Sequence, residues 1–227
     1  MTVGFRILPR LRTVDAGTVE RFRSLPVANV SDSMARLTAG GARLRPMHSG
    51  GAMAGVALTV KAPPGDNLML HKAIALSQPG DVIVMDAGGE LTNALMGEMM
   101  LMQFARRKIA GVVIDGAIRD AAYIRAQGLP VFAAGVTHRG PYKNGPGEIN
   151  VPIAIDGMVI APGDLIIGDE DGVLCVPFDD TEAVLAASAE KFDAEQRQIA
   201  NIAAGTHDAG WVDKQLRTMG CEIAGDD

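Results

Sequence analysis

Short runs of apolar residues, each closed by glycine, proline or a polar residue, recur along the first 180 positions and predict β-strands. These runs cover residues 56–60, 82–85, 112–114, 131–133, 151–155, 158–160, 165–167 and 173–176. Helical periodicity separates the earlier runs, whereas residues 149–177 are typical of consecutive strands. The alternation predicts an α/β fold with a mixed sheet at the core and helices outside it.

Helical stretches lie between the strands and end in a long helical C-terminal segment. They cover residues 18–25, 68–77, 98–108, 120–127 and about 181–204. Ser31 or Asp32 is a suitable N-cap for a further helix that ends at Leu37. We expect a single domain over residues 1–227, with its core at about 26–178 and its helical segment at about 179–220.

The composition of the chain mainly argues against certain classes of partner. The chain has 227 residues, of which 48% are apolar, and its formal net charge is −6. The negative charge argues against a nucleic-acid surface, because such a surface needs a basic patch. No apolar run approaches the roughly 18 residues of a membrane helix, and the N-terminus lacks the layout of a signal peptide. We therefore expect a cytoplasmic protein with no membrane or nucleic-acid partner.

The most informative polar residues are Arg119 and Asp120, which follow an apolar run and a break at Asp115-Gly116. Arginine binds a carboxylate through two parallel hydrogen bonds, and aspartate offers hard oxygen to a divalent metal ion. Together they can hold a 2-oxo acid, with its carboxylate on Arg119 and the metal on Asp120. The alternative is a pair that only caps a helix starting near Asp120.

Glu98 precedes this pair by about twenty residues, at a predicted helix start. A helix start exposes unpaired backbone N–H groups, here those of Met99 and Met100, and these groups favour an anion. If the chain returns through the next strand, Glu98 and the two amides can converge with the Arg-Asp pair. Two alternatives stay open: Glu98 only complements the helix dipole, or the helix begins earlier, at Thr92 or Asn93.

Four further polar residues are weaker candidates. Asn67 and His71 are four residues apart, so they share a face if a helix starts by Asn67. Asp32 stands at a predicted helix start, and Glu195 stands on the long C-terminal helix. For each of them, capping, a hydrogen bond in the core or a solvated helix face is the simpler alternative.

The acidic residue, the twenty-residue gap and the Arg-Asp pair, taken with several turn motifs, resemble a known family. The motifs are Pro64-Gly-Asp-Asn67, Pro79-Gly-Asp81, Gly111–Asp120, Asn150-Val-Pro152 and Gly168–Pro177. From about Pro26 to Gly205 the chain resembles the class II pyruvate aldolases typified by 4-hydroxy-4-methyl-2-oxoglutarate/4-carboxy-4-hydroxy-2-oxoadipate aldolase. The wider RraA-like group includes the RraA regulators of ribonuclease E activity.

This resemblance implies an RraA-like α-β-β-α sandwich that assembles as a homotrimer or homohexamer, with active sites between subunits. It implies Mg²⁺ or Mn²⁺ as cofactor, with Asp120 as the main direct protein ligand and water in the other positions. Arg119 would bind the 2-oxo acid end of the substrate, and the amides of Met99 and Met100 would complete that grip. The family usually has Asp where this chain has Glu98, and the longer side chain could place a bound water differently.

The resemblance also implies a role at the site for the four weaker candidates. Asp32 and Glu195 match acidic positions that reach in from a neighbouring subunit, whereas Asn67 and His71 match a segment near the site. The catalytic groups implied are Glu98, Arg119, Asp120 and Glu195. The substrate-binding groups implied are Met99, Met100, Arg119, Asn67, His71 and Asp32.

The resulting hypothesis is a metal-dependent carbon–carbon lyase that cleaves a 4-hydroxy-2-oxo acid or diacid to pyruvate and a second oxo compound. Oxaloacetate decarboxylation passes through the same pyruvate enolate, so we expect it as a side activity. Two alternatives remain. One is a non-catalytic regulator that binds a ribonuclease, and the other is a related lyase that acts on a sugar-derived acid.

Overall fold

A mixed β-sheet forms the centre of the protein, whose computed structural model describes residues 2–38, 40 and 42–223. Its strands and those of a separate hairpin are β1 (Phe5–Ile7), β2 (Arg45–Pro46), β3 (Met53–Lys61), β4 (Asp81–Met96), β5 (Gly111–Ile118), β6 (Val131–Val136), β7 (Gly147–Ile149), β8 (Ile153–Ile155), β9 (Met158–Ile160), β10 (Leu165–Asp169) and β11 (Gly172–Val176). The helices are α1 (Ala16–Arg23), α2 (Val27–Ser33), α3 (Leu68–Leu76), α4 (Glu98–Arg107), α5 (Ala121–Ala126), α6 (Thr181–Ala203) and α7 (Gly210–Thr218).

Four neighbouring parallel strands, β3, β4, β5 and β6, make up the middle of the sheet. Helices α3, α4 and α5 connect them in turn, so the chain forms three consecutive βαβ units. Antiparallel strands flank this block, because β7 and β10 pair with β3 and β2 pairs with β6. The topology therefore brings the carboxyl ends of four strands to one edge of the sheet.

Both faces of the parallel block are buried, and this explains why its strands are apolar throughout. In β4, Ile83 and Met85 pack into a cluster with the apolar residues of α3 and α4, including Phe104. The alternate residues Val82 and Val84 face a second cluster, which the β8–β9 hairpin covers. A third cluster joins α1 and α2 to β10, β11 and the start of α6.

The predicted α/β class with a mixed sheet is confirmed, but the position of one helix was predicted wrongly. The sequence interpretation placed an N-cap at Ser31 or Asp32, whereas α2 begins directly after Pro26. Its inward face includes the buried Val30, and the helix is over by Met34 because the next two residues, Ala35 and Arg36, adopt left-handed backbone angles. Asp32 therefore lies in the last turn of a helix and not at its start.

The chain divides into two compact units, one up to Ser188 and one from Ala189 onward. The second unit contains the C-terminal part of α6 and all of α7, and none of its described residues is buried. Among the described residues, no helix is both long enough and apolar enough to cross a bilayer.

Candidate active site

A cavity of about 460 Å³ lies at the carboxyl ends of β4 and β5. Strand β4 ends at Met96 and leads through Gly97 into α4, while β5 ends at Ile118 and leads into the Arg119-Asp120 pair. The Arg119 N–H donates to Met96 O at 2.9 Å and ties the two strand ends together. The cavity is lined by Asn67, His71, 94–100, Gln103, Arg119, Asp120, Pro141 and Lys143.

Asp120 occupies the position before α5, yet its carboxylate does not cap that helix. Its backbone is left-handed, with φ of 58°, and its Oδ2 accepts a hydrogen bond from the Glu98 N–H at 2.9 Å. The carboxylate therefore sits at the N-terminus of α4, where the helix dipole favours negative charge. The interpretation of Asp120 as a simple cap of its own helix is wrong.

Gly97 makes this contact possible because it has no side chain. A Cβ at this position would overlap Asp120 Oδ2 and would lie 2.9 Å from Arg119 Cγ. The residue is in an extended conformation, so the requirement is steric and not conformational. Sequence analysis missed Gly97, since a glycine at the start of a helix is commonplace and its crowding arises from a distant strand.

The first turn of α4 begins at Glu98, so the earlier starts at Thr92 or Asn93 are excluded. The Met100 N–H already donates to Gly97 O at 3.1 Å, whereas no described residue accepts a hydrogen bond from the Met99 N–H. Of the two amides proposed from sequence, only that of Met99 remains available to an anion in this arrangement.

Arg119 is exposed, and its guanidinium extends past Asp120 toward the loop at Gly140. Its Nε lies 3.8 Å from Asp120 Oδ2, which is too long for a hydrogen bond. Within the described part of the chain, no acceptor takes a hydrogen bond from the guanidinium. Its planar set of donors is therefore free to bind a carboxylate in two places.

Asn67 lies at the start of α3 with only 3% of its surface exposed. Its Nδ2 donates to Leu95 O at 2.8 Å and lies 3.6 Å from Met100 Sδ. Its Oδ1 is buried and accepts a hydrogen bond from no described residue. A buried acceptor without a donor lowers the stability of the folded state. We therefore expect a ligand or an ordered water in the cavity to donate a hydrogen bond to this atom.

His71 lies one turn further along α3 and also lines the cavity. Burial lowers the pKa of its imidazole, and the positive charge of Lys143 lowers it further. Lys143, Pro141 and Gln103 are cavity residues that the motif search did not find. The only hint in the sequence is the loop 138–147, which follows β6 as the other site segments follow their strands.

Of the remaining predicted residues, Asp32 does not line this cavity. It forms an ion pair with Arg36, with 2.7 Å between Oδ1 and Nε. Glu195 belongs to the second unit, where its Oε1 lies 3.1 Å from the Nζ of Lys191 one turn earlier. Glu98, Met99, Met100, Asn67, His71, Arg119 and Asp120 do line one cavity.

Two carboxylates line the cavity, those of Glu98 and Asp120, and they are its candidate donors for a metal ion. Among the described residues, no group of three or more histidine, cysteine, aspartate or glutamate side chains is arranged to hold an ion. Asp120 Oδ1 accepts no hydrogen bond from a described residue, so it is open to the cavity. One free carboxylate oxygen with water and substrate oxygens in the other positions fits Mg²⁺ or Mn²⁺, which prefer oxygen ligands and retain water.

Residues 27–175 match the model of the RraA-like family, described as Aldolase/RraA, and the chain belongs to this family. A protein of Halalkalibacterium halodurans with the name "Putative 4-hydroxy-4-methyl-2-oxoglutarate aldolase" is 41% identical over 183 residues, which cover 80% of this chain and 87% of that protein. A Thermus thermophilus protein named 4-hydroxy-4-methyl-2-oxoglutarate aldolase is 34% identical over 112 residues, 49% of this chain and 68% of the relative.

Solved structures share the fold as well. The crystal structure of Streptomyces coelicolor RraAS2 is described as an unusual member of the RNase ES inhibitor RraA protein family. It superposes with a TM-score of 0.74 at 28% identity, and the match covers 84% of this chain and 98% of that one. The names of the relatives thus support an aldolase of the RraA-like family, while this structural neighbour belongs to a branch described as ribonuclease inhibitors.

Proposed function

We propose that this protein is a divalent-metal-dependent aldolase that cleaves a 4-hydroxy-2-oxo acid or diacid to pyruvate and a second oxo compound. The observation that carries the proposal is the cavity in which Arg119, Asp120 and the Met99 N–H lie together. These groups are a bidentate carboxylate binder, a hard oxygen ligand and a backbone donor at a helix start. That combination suits a 2-oxo acid better than a neutral substrate.

Each group has a definite task in this reaction. Arg119 binds the substrate carboxylate through its guanidinium, and the Met99 N–H donates to the same anionic end. Asp120 would hold Mg²⁺ or Mn²⁺, which supplies positive charge that stabilises the negative charge developing on the 2-keto oxygen. Glu98 is exposed at the cavity, and its role in this proposal is to hold a water that accepts the proton of the C4 hydroxyl.

Bond cleavage then follows from the loss of that proton. The C4–O bond becomes a carbonyl, the C3–C4 bond breaks, and its electron pair passes into the pyruvate enolate. Arg119 stabilises the enolate by remaining paired with its carboxylate. Protonation at C3 gives pyruvate. Oxaloacetate would lose carbon dioxide through the same enolate, so a decarboxylase side activity belongs to the proposal.

A coupled assay of pyruvate release tests this proposal. The purified chain is freed of metal with a chelator and assayed on a panel of 4-hydroxy-2-oxo acids and oxaloacetate, with and without Mg²⁺ or Mn²⁺. Pyruvate release that needs the metal is the expected result. No release from any member of the panel would reject the proposal.

A homotrimer or homohexamer with sites between subunits is part of the same proposal. In the second unit, Phe192, Glu195, Ile199 and Ile202 follow one another at intervals of three and four residues along α6. Ile199 and Ile202 are more than half exposed. A stripe of this spacing is typical of a helix face that packs on another surface. Packing on a neighbouring subunit would bury it and carry Glu195 toward that subunit's cavity.

Sedimentation distinguishes this arrangement from a monomer. The change Ile199→Glu places a charge in the stripe and is expected to lower the assembly state. Gln198→Glu adds the same charge at an exposed neighbouring position and serves as the control. A monomeric wild-type chain would contradict the assembly proposal without affecting the chemistry of the cavity.

The second candidate function is a non-catalytic regulator of a ribonuclease. The description of the Streptomyces coelicolor neighbour as a member of an RNase inhibitor family favours it. The presence of Gly97, Arg119 and Asp120 in one cavity favours the aldolase, because a binding surface has no need of them. Tight binding to ribonuclease E together with no metal-dependent pyruvate release would reverse the choice. A lyase for a sugar-derived acid, suggested by Glu98 in place of Asp, is covered by the same substrate panel.

A further inference from the structure

Asp66 is a buried carboxylate that does not line the cavity but contacts two of its walls. Only 4% of its surface is exposed. Its Oδ1 accepts a hydrogen bond from the Leu68 N–H at 2.9 Å, in the first turn of α3. Its Oδ2 accepts from the Asn144 N–H at 2.6 Å and from the Gly145 N–H at 2.9 Å, both in the loop after β6. One side chain thus joins a helix start to a distant loop.

The loop side of this junction fixes Lys143. The Tyr142 N–H donates to Gly65 O at 2.8 Å, and the Asn67 N–H donates to Tyr142 O at 3.0 Å. On the other flank of Lys143, Asn144 is held by Asp66 Oδ2. The backbone is therefore fixed immediately before and immediately after Lys143, whose side chain lines the cavity.

The helix side of the junction fixes Asn67 and His71. Asn67 is the residue that follows Asp66, and His71 lies one turn into the helix whose first residue, Leu68, donates its N–H to Asp66 Oδ1. The helix and the loop are close enough to interact electrostatically, because the charge of Lys143 adds to the effect of burial in lowering the pKa of His71.

We propose that Asp66 is a positioning residue that fixes the wall formed by Asn67, His71 and Lys143 relative to the Arg119–Asp120 end of the cavity. This inference rests on the proposed aldolase function and deepens it. The three-carbon 2-oxo acid unit binds at the Arg119–Asp120 end. The part of the substrate beyond C3 meets the wall that Asp66 holds, so Asp66 governs the reaction of extended substrates and not that of pyruvate.

Two reactions at the same site report separately on the two ends of the cavity. Cleavage of a 4-hydroxy-2-oxo diacid uses both ends. Exchange of the pyruvate methyl protons for deuterium, followed by NMR, forms the same enolate from a three-carbon acid and uses only the Arg119–Asp120 end. Both are measured on the metal-loaded wild-type chain and on each variant, per folded protein.

The principal variant is Asp66→Asn, which replaces one of two accepting oxygens by an N–H donor that faces backbone N–H groups. The matched control is Asp164→Asn. Asp164 is equally buried, at 4% exposed, and accepts hydrogen bonds from the Ala161 N–H at 2.7 Å and the Phe178 N–H at 3.0 Å, away from the cavity. A purely structural effect of losing a buried carboxylate therefore appears in both variants.

For Asp66→Asn, kcat/KM for cleavage is expected to fall about tenfold to a hundredfold, while pyruvate exchange stays within about twofold of wild type. Asp164→Asn is expected to leave the ratio of the two rates unchanged. An unchanged cleavage rate in Asp66→Asn, or an equal fall in both reactions, would overturn the positioning role. A wild-type chain that neither cleaves nor exchanges would instead reject the proposed function, and the inference with it.

A second pair of variants decides the question if Asp66→Asn does not fold. Asn144→Pro removes the N–H that donates to Asp66 Oδ2 at an exposed loop position, whereas Asn144→Ala retains that N–H. Slower cleavage with normal exchange in Asn144→Pro, and not in Asn144→Ala, supports the inference. Equal behaviour of the two variants would overturn it.

Discussion

The backbone N–H of Glu98 donates to Asp120 Oδ2 at 2.9 Å, so the proposed metal ligand is held at the N-terminus of a helix from another βαβ unit. One carboxylate oxygen is used for this contact, and the other is left open to the cavity. The same contact sets Arg119 beside the first turn of α4. The relative placement of the charged groups therefore depends on how closely β5 and α4 approach one another.

Gly97 controls that approach, and its substitution is the first prediction. Gly97→Ala places a methyl group against Asp120 Oδ2 and Arg119 Cγ, so the pair must move. A displacement of about 1 Å at a reacting group costs on the order of a hundredfold in rate. We expect a fall of that size in kcat/KM for pyruvate release. Gly128→Ala is the control, because an added Cβ there has no atom within 4 Å.

The available amide at the start of α4 supplies the second prediction. Met99→Pro removes this N–H at a position where the first helical turn tolerates proline, whereas Met99→Ala keeps the N–H and removes the exposed side chain. We expect Met99→Pro to raise KM for the 2-oxo acid about tenfold, in keeping with the loss of a charge-assisted hydrogen bond. Met99→Ala should resemble wild type, and equal KM values for the two variants would exclude the amide from binding.

The third prediction concerns the protonation of His71. Burial is the larger cause of the lowered pKa, and the charge of Lys143 is the smaller one. Lys143→Met is therefore expected to raise the pKa while leaving it below the ordinary value of 6.5. NMR titration of the imidazole measures this change. Lys72→Met removes a lysine that follows His71 on the same helix and should leave the pKa unchanged. A pKa unaffected by Lys143→Met would contradict the placement of this lysine.

The lowered pKa of His71 also has a consequence for stability. The folded state favours the neutral imidazole, so unfolding takes up a proton once the pH approaches the ordinary value of 6.5. The contribution of His71 to the free energy of unfolding is present above that value and is lost as the pH falls below it. Chemical denaturation of wild type and His71→Asn between pH 5 and 8 checks this sign, because the variant should lose this part of the pH dependence.

The shape of the guanidinium supplies the fourth prediction. Arg119→Lys keeps the positive charge but loses the planar fork that binds a carboxylate in two places. We expect kcat/KM to fall about tenfold to a hundredfold, and Arg119→Ala to fall further, since each lost charge-assisted hydrogen bond removes binding energy. Assays of pyruvate release with both variants measure the order. A lysine variant with wild-type kcat/KM would show that charge alone is sufficient at this position.

The class of fold was readable from sequence because the strands of the parallel block are buried on both faces. Val82–Met85 alternates between two apolar clusters, so every position is apolar and the run is easily recognised. The start of α4 at Glu98 was likewise predicted, since acidic residues favour the first turn of a helix. The end of α2 was not, because the left-handed angles of Ala35 and Arg36 leave no mark in the residue types.

The residues of the site could be predicted from the sequence only in part, for a related reason. Arg119 and Asp120 stand out because a cation and an anion follow a buried strand. Lys143 does not stand out, because its place in the cavity depends on long-range hydrogen bonds between Tyr142 and residues 65–67. The unpartnered Oδ1 of Asn67 is also a property of packing and not of local sequence.

The most direct test of the metal-dependent aldolase is a Mg²⁺ titration of pyruvate release by wild type and Asp120→Asn side by side. Asparagine tolerates the left-handed backbone of position 120 and keeps an oxygen for the Glu98 N–H, but an NH2 group replaces its second oxygen and it carries no negative charge to favour a divalent cation. Wild type should show a saturable response to Mg²⁺, and Asp120→Asn should fall at least about a hundredfold at every concentration. A variant that retains the wild-type response to Mg²⁺ would contradict the assignment.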